Sequence, residues 1–179
     1  MTPNIKTIVY ATGLGSGAPH VFRYALSLAR QYQAKIEIVC GMASFRQYSH
    51  EVAAIYIGRE DTEEFHQQAR ARVKTELEGQ VEAMCKSAII DDPDGYQYVS
   101  NIHVIEDSPD LAILQCAEKL TADMIVMGTH RKTTKPGALL GSCAFKVVHE
   151  SSIPVLLVRI PEGFKDLPNK SDAPAVLTS

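Results

Sequence analysis

Met124-Ile125-Val126-Met127-Gly128-Thr129-His130-Arg131-Lys132-Thr133-Thr134-Lys135-Pro136-Gly137-Ala138-Leu139-Leu140-Gly141-Ser142 is the stretch that decides how this chain folds. Its first four residues are apolar without interruption, as a strand buried on both faces of a parallel sheet must be. The chain leaves that strand at a glycine. It then carries three formal cations and no acid between His130 and Lys135, and it re-enters regular structure through Gly141-Ser142. Gly141 to Glu150 follows as a short helix, and Ile153 to Val158 as another apolar strand.

Upstream, the same alternation repeats. Ile5 to Ala11 ends in Gly13, Gly15 and Gly17 and reads as a buried strand. Pro19 to Gln33 sets Val21, Ala25, Leu28, Ala29 and Tyr32 at helical spacing. Ile36 to Cys40 is a second strand. Met42 to Glu60 shows no clean period. Asp61 to Ser87 returns to helix, with Phe65, Ala69, Val73, Leu77, Val81 and Met84 as its stripe. Asp91-Asp92-Pro93-Asp94-Gly95 carries turn chemistry. Ile102 to Ile105 is a third strand. Pro109 suits the first turn of a helix, whose apolar set is Leu111, Ile113, Leu114, Ala117 and Leu120. Strands alternating with helices predict an α/β fold: an open five-stranded parallel sheet with helices on both faces. Residues 1–160 make the domain, and the proline-bearing 161–179 make a loose tail.

Composition excludes whole classes. The 179 residues are 45% apolar and 22% charged, enough for a packed core. A net charge of −3 argues against a dedicated nucleic-acid binder. No apolar run approaches the ~20 residues of a membrane helix, so no membrane insertion is expected. Met1 to Lys6 has no signal-peptide layout. The four cysteines, Cys40, Cys85, Cys116 and Cys143, form no C-x-x-C pair. That leaves a cytoplasmic protein without disulfides or zinc as the expectation.

In open α/β sheets, ligands sit beyond the carboxyl ends of the strands. Two segments fall there: Thr12-Gly13-Leu14-Gly15-Ser16-Gly17, and Gly128 to Ser142. A helix start with free N–H groups binds anions, and His130, Arg131, Lys132 and Lys135 add charge-assisted partners for phosphate. The plainer reading is a solvated basic loop with a serine near a helix start. The glycines after the first strand do not fit G-x-G-x-x-G, since Ala18 stands three after Gly15. No acid ends the second strand either, which disfavours a dinucleotide enzyme. Asp91, Asp92 and Asp94 read as a turn rather than a cation site. The histidines show no paired metal spacing, and His103 reads as a satisfied core residue. No nucleophile set emerges from spacing.

Gly128, Gly141-Ser142, Val147-Val148 and Ile153-Pro154-Val155-Leu156-Leu157-Val158 resemble the signature of universal stress proteins. Lys6 to Thr12, Ala25 to Ala29, Ser108-Pro109 with Ile113, and Ala122 to Gly128 extend the likeness over most of residues 4–160. The resemblance implies a Rossmann-like fold of the adenine nucleotide alpha hydrolase-like kind. It implies a bound adenine nucleotide, ATP or AMP/ADP, with Mg²⁺ as companion. Ala11, Thr12 and Gly13 would face base and ribose, and Gly41 would offer backbone groups to the adenine. Met127 and Gly128 would line the pocket. His130, Arg131, Gly141, Ser142 and Cys143 would hold phosphates. Two departures stand out: Gly13 occupies the place of the family's usual Asp, and Arg131 that of its middle glycine. Asp107 also stands where the third-strand loop often has glycine.

By that resemblance the chain is a regulatory or stress-response module. Catalysis is at most slow ATP hydrolysis or self-phosphorylation, and no catalytic base is visible. The edge strand Ile153–Val158 would pair with its own copy in a homodimer, and a further protein partner goes unnamed. Residues 42–60 fall outside the resemblance; in this topology they would cover the pocket as a lid. The alternative is a nucleotide-free dimeric interaction protein of the same family. An adenylating ligase is disfavoured, because the first-strand loop lacks S-G-G-x-D-S.

Overall fold

A computed structural model describes residues 3–42, 63–130, 140–161 and 164. In chain order the described elements are β1 (Thr7–Ala11), α1 (Ala18–Tyr32), β2 (Lys35–Met42), α2 (Glu63–Ala88), a 3-10 helix (Pro93–Tyr98), β3 (Val99–Glu106), α3 (Pro109–Lys119), β4 (Met124–His130), α4 (Ser142–Glu150) and β5 (Val155–Ile160). The five strands form one parallel sheet in the order β3-β2-β1-β4-β5. Chain direction across the sheet therefore reverses between β1 and β4. That opens a crevice at their carboxyl ends, where such folds bind ligands.

The two faces of the sheet are packed differently. One carries large side chains: Ile8, Tyr10, Ile36 and Ile38 pack with Phe22, Val21 and Ala25 of α1 and with Val81, Met84 and Cys85 of α2. The buried Tyr10 hydroxyl donates to Ala18 O at 2.8 Å, fastening β1 to the start of α1. Burial drives the Tyr10 phenol well above its ordinary range. The other face is built from smaller groups. Val9, Val39, Ile125 and Met127 meet Ala112, Cys116 and Ala117 of α3 and Ala144 and Val147 of α4. Asp123 ties the lower edge together, its Oδ2 accepting the backbone N–H of Lys6 at 2.7 Å and of Thr7 at 2.9 Å.

Several boundaries differ from the sequence reading. β2 runs to Met42, so that residue is strand, not the start of the aperiodic stretch; residues 43–60, including the expected lid, lie outside the described residues. β3 is twice its expected length because Val99 and Asn101 at one end and Glu106 at the other also pair along β2, with a bulge at Ile36/Glu37. β5 spans Val155–Ile160, two residues later than expected at each end, because Ile153 and Pro154 still belong to the turn before it. The Asp-Pro-Asp-Gly turn opens a 3-10 helix, Pro93 taking its first turn. Tyr32, Val73 and Leu111 belonged to expected apolar stripes but are exposed.

His103 also departs from expectation. It is not in the core: it lies half-buried on the edge strand β3, where its Nε2 meets Glu37 Oε2 at 2.8 Å. Glu37 is buried mid-sheet, and Asn101 Nδ2 donates to both its oxygens at 3.1 and 3.2 Å. The apolar strand reading missed this carboxylate's need for partners. After β5 the chain turns back, and the Phe164 ring packs 4.9 Å from the His20 ring of α1.

Candidate functional site

Beyond the carboxyl ends of β1, β2 and β4 lies a cleft of about 380 Å³, within the ~300–1,000 Å³ usual for small-molecule sites. Nine of the residues singled out from sequence line it: Ala11, Thr12, Gly13, Gly41, Met127, Gly128, Gly141, Ser142 and Cys143. They come from four separate stretches of chain, and only the topology brings them together. His130 ends β4, but its side chain lies outside the described residues, as do all of Arg131, Lys132 and Lys135.

The β1–α1 loop is held by its own backbone. Thr12 N–H donates to Val39 O at 3.0 Å, and Leu14 N–H donates to Thr12 Oγ1 at 3.2 Å. Leu14 sits at φ 57°, a left-handed conformation costly for a leucine. Its side chain packs against the large-residue core, which holds it there. Ala18 N–H then closes the loop onto Gly15 O at 2.8 Å.

Electrostatics come from backbone rather than side chains. No described lining residue is charged. Instead α1, α3 and α4 all begin at the cleft, and none has a side-chain cap. Gly17 and Ala18, Pro109, and Gly141 to Ala144 bring these helix starts to its walls. The positive ends of these helix dipoles favour an anion there, and at α4 the N–H groups of Ser142, Cys143 and Ala144 precede the first helical hydrogen bond, from Phe145 N–H to Gly141 O. Asp107, expected as a departure from the family pattern, does not line the cleft. Its Oδ1 accepts Ser108 N–H at 2.7 Å and its Oδ2 accepts Gln115 Nε2 at 3.3 Å.

α4 is fastened to α3 from behind the cleft. Lys146 Nζ donates to Asp110 Oδ2 at 3.0 Å, with Asp110 buried and Lys146 half in solvent. The Lys146 ammonium holds the Asp110 carboxyl below its ordinary range. Cys143 is half-buried at the cleft, whereas Cys40, Cys85 and Cys116 are buried. Burial raises all four thiols, Cys116 to about 11 and Cys85 to about 12.

The sequence reading missed part of the lining. Pro109 and Ile113 were seen only as helix residues, and Ile160 lay beyond the expected end of β5. Thr129 stood inside the quoted stretch, one residue after Gly128, but nothing in its type marked it out. Among the described residues, no group of three or more His, Cys, Asp or Glu could hold a metal, and no helix is long and apolar enough to cross a membrane.

The family model "Universal stress protein family" matches residues 4–159. This chain belongs to the universal stress protein family. A universal stress protein of Methanocaldococcus jannaschii, MJ0531, is 44% identical over 59 residues, which is 33% of this chain and 35% of that protein. The matched segment is thus about a third of that relative's length. Among solved structures, the hypothetical protein MJ0577, described as a test case of structural genomics, superposes with a TM-score of 0.64 at 22% identity. That match covers 89% of this chain and 99% of that one. A universal stress protein in complex with cAMP superposes with a TM-score of 0.58 at 18% identity, over 88% of this chain and 98% of that one. At these identities the structural likeness establishes the universal stress protein fold.

Proposed function

We propose that this universal stress protein binds an adenine nucleotide, ATP or its mono- or diphosphate, in the cleft beyond β1, β2 and β4, as a regulatory module. One observation carries the reading: nine residues chosen from sequence for a nucleotide meet in one cleft whose walls present three uncapped helix starts. A universal stress protein of similar fold in complex with cAMP supports it. The base would lie toward Ala11, Thr12 and Gly41, and the phosphates toward Gly141, Ser142 and Cys143. Mg²⁺ would arrive with the phosphates and neutralise part of their charge. Nucleotide binding would then alter the surface offered to a protein partner. The edge position of β5 supports pairing of two copies along that strand.

The test is calorimetric and thermal-shift titration of the full chain with ATP, AMP and cAMP. Saturable heat and a rising Tm are expected, with about 2.7 kcal/mol of stabilisation at a ligand concentration of about 100 times Kd. No heat and no shift at millimolar nucleotide overturns the reading. It would leave the nucleotide-free interaction protein, which Gly13 in the acidic position favours.

A further inference from the structure

Among the described residues β5 is an edge strand, paired with β4 alone, so its last residue has strand support on one side only. That residue, Ile160, is nonetheless only 8% exposed and forms part of one wall of the cleft. A β-carbon at Gly17, where α1 begins, would lie 2.5, 2.7 and 2.9 Å from three Ile160 side-chain atoms, and one at Gly128 in β4 would lie 2.9 Å from Ile160 Cδ1. The two glycines leave the space that the isoleucine fills, so Ile160 closes the cleft between α1 and β4. Element ends fray where little holds them, and a side chain seated this tightly needs a hold beyond its own strand.

The hold comes from the residues just after it. Phe164 N–H donates to Pro161 O at 3.2 Å, turning the chain back toward α1. The half-buried Phe164 ring packs 4.9 Å from the His20 ring and against the large-residue core. His20 in turn meets Tyr24 edge-on at 5.2 Å, about one helical turn further along α1. His20 follows Gly17 closely in the first turn of α1, so the ring contact sits beside the place where Ile160 enters. Ile160, Pro161 and Phe164 all follow residue 159, where the family match ends. The isoleucine and its clasp are thus built from residues that the family match does not reach.

We infer that Phe164 is a positioning residue for the cleft: clasped to His20, it holds the end of β5 so that Ile160 closes the wall between α1 and β4 and retains the bound ligand. Phe164 does not line the cleft, so it acts through Ile160. The inference rests on the nucleotide reading above for its ligand and adds a control to that site: the contact after β5 sets how firmly the cleft is closed.

The test is calorimetric ATP affinity of the full chain, measured well below the Tm of every variant. Phe164→Ala is expected to weaken ATP binding about threefold to tenfold, as the loss of one aromatic pair that preorganises the site would. His20→Ala removes the other ring and is expected to match it; it carries the measurement should the first variant fail to fold. Phe164→Tyr keeps the ring and is expected to bind as wild type does, while Ile160→Ala is expected to lose at least as much as Phe164→Ala. Val81→Ala, buried in α2 and not part of the cleft, controls for stability: it should lower Tm and leave affinity unchanged. Unchanged affinity in Phe164→Ala or His20→Ala overturns the inference. An equal loss in Val81→Ala or in Phe164→Tyr overturns it too, by tracing the effect to global stability or away from the ring. An unaffected Ile160→Ala overturns the route through the wall. A wild type that binds no nucleotide sinks the nucleotide reading by itself, and the clasp is then judged by iodoacetamide alkylation of Cys143 in the same cleft. Faster alkylation in Phe164→Ala and Ile160→Ala upholds the clasp, and an unchanged rate overturns it.

Discussion

Gly41 and Gly13 line the same cleft, yet a β-carbon at Gly41 would lie 2.8 Å from Pro109 Cα while one at Gly13 would meet nothing within 4 Å. The contrast extends to the two walls they represent. On the strand wall, a β-carbon at Gly128 would lie 2.8 Å from Val21 Cγ2 and 2.9 Å from Ile160 Cδ1. On the loop wall, Gly15 and Gly141 face open space like Gly13, whereas a β-carbon at Gly17, where the loop enters α1, would lie 2.5 Å from Ile160 Cγ2. The strand glycines and Gly17 are small because protein packs against them; the other loop glycines, Gly13, Gly15 and Gly141, leave room that the protein does not use. One residue type thus serves two purposes in one site, and only the open loop glycines are free to answer to a ligand.

The sharpest way to break the contrast is Gly141→Asp. Gly141 sits at φ −67° and ψ 156°, a backbone that an N-cap aspartate adopts freely. The fold should be unharmed, gaining a few tenths of a kcal/mol in denaturant unfolding. A carboxylate ~4 Å from a phosphate costs ~1–4 kcal/mol, so nucleotide affinity by calorimetry should fall at least about tenfold. A destabilised variant would show that the loop wall is packed after all.

Gly41→Ala should do the reverse. Its clash is with Pro109 backbone, which cannot rotate away, so unfolding should show a loss of about 1–3 kcal/mol. A neutral result would dissolve the distinction between the walls.

Lys146→Met tests what fixes the loop wall's helix in place. It strips Asp110 of its cation, but the half-exposed Lys146 end is screened by solvent, so denaturant unfolding at pH 7 should show only a small loss of stability. Asp110 has its folded pKa lowered. Its contribution is therefore full above the unfolded carboxyl value of about 4 and is lost as pH falls through the lower folded value. The gap between wild type and variant should narrow below about pH 4 in pH-resolved melts.

The smallest effect is chemical. Cys143 is the one half-buried cysteine and lines the cleft. Alkylation by iodoacetamide should begin there, slowly because burial raises its thiol, and ATP should slow it severalfold. Mass spectrometry that finds Cys40, Cys85 or Cys116 modified first would count against the cleft's geometry.

Much of this was legible in the chain. Uninterrupted apolar runs such as Ile125 to Met127 marked strands buried on both faces, and Pro109 and Gly141-Ser142 marked helix starts, because those signals are local. What escaped was non-local. Val99-Ser100-Asn101 extends β3 because β2 runs beside it. Glu37 stands in an apolar strand because Asn101 and His103 come from the neighbouring one. Gly128 lines the cleft as expected, but that a β-carbon there would meet Val21 and Ile160 from two other elements was not legible in the chain.

The sequence alone determined the alternation of strands and helices and the five-stranded parallel sheet, since periodicity and turn chemistry act over a few residues, and its resemblance to a known signature pointed to the family. The tertiary structure decided which glycines are packed and which are open, that three helix starts meet at one cleft, and that Ile160 fills the space left by Gly17 and Gly128. Those properties depend on residues far apart in the chain being brought within a few ångströms, and no spacing along the chain encodes that distance.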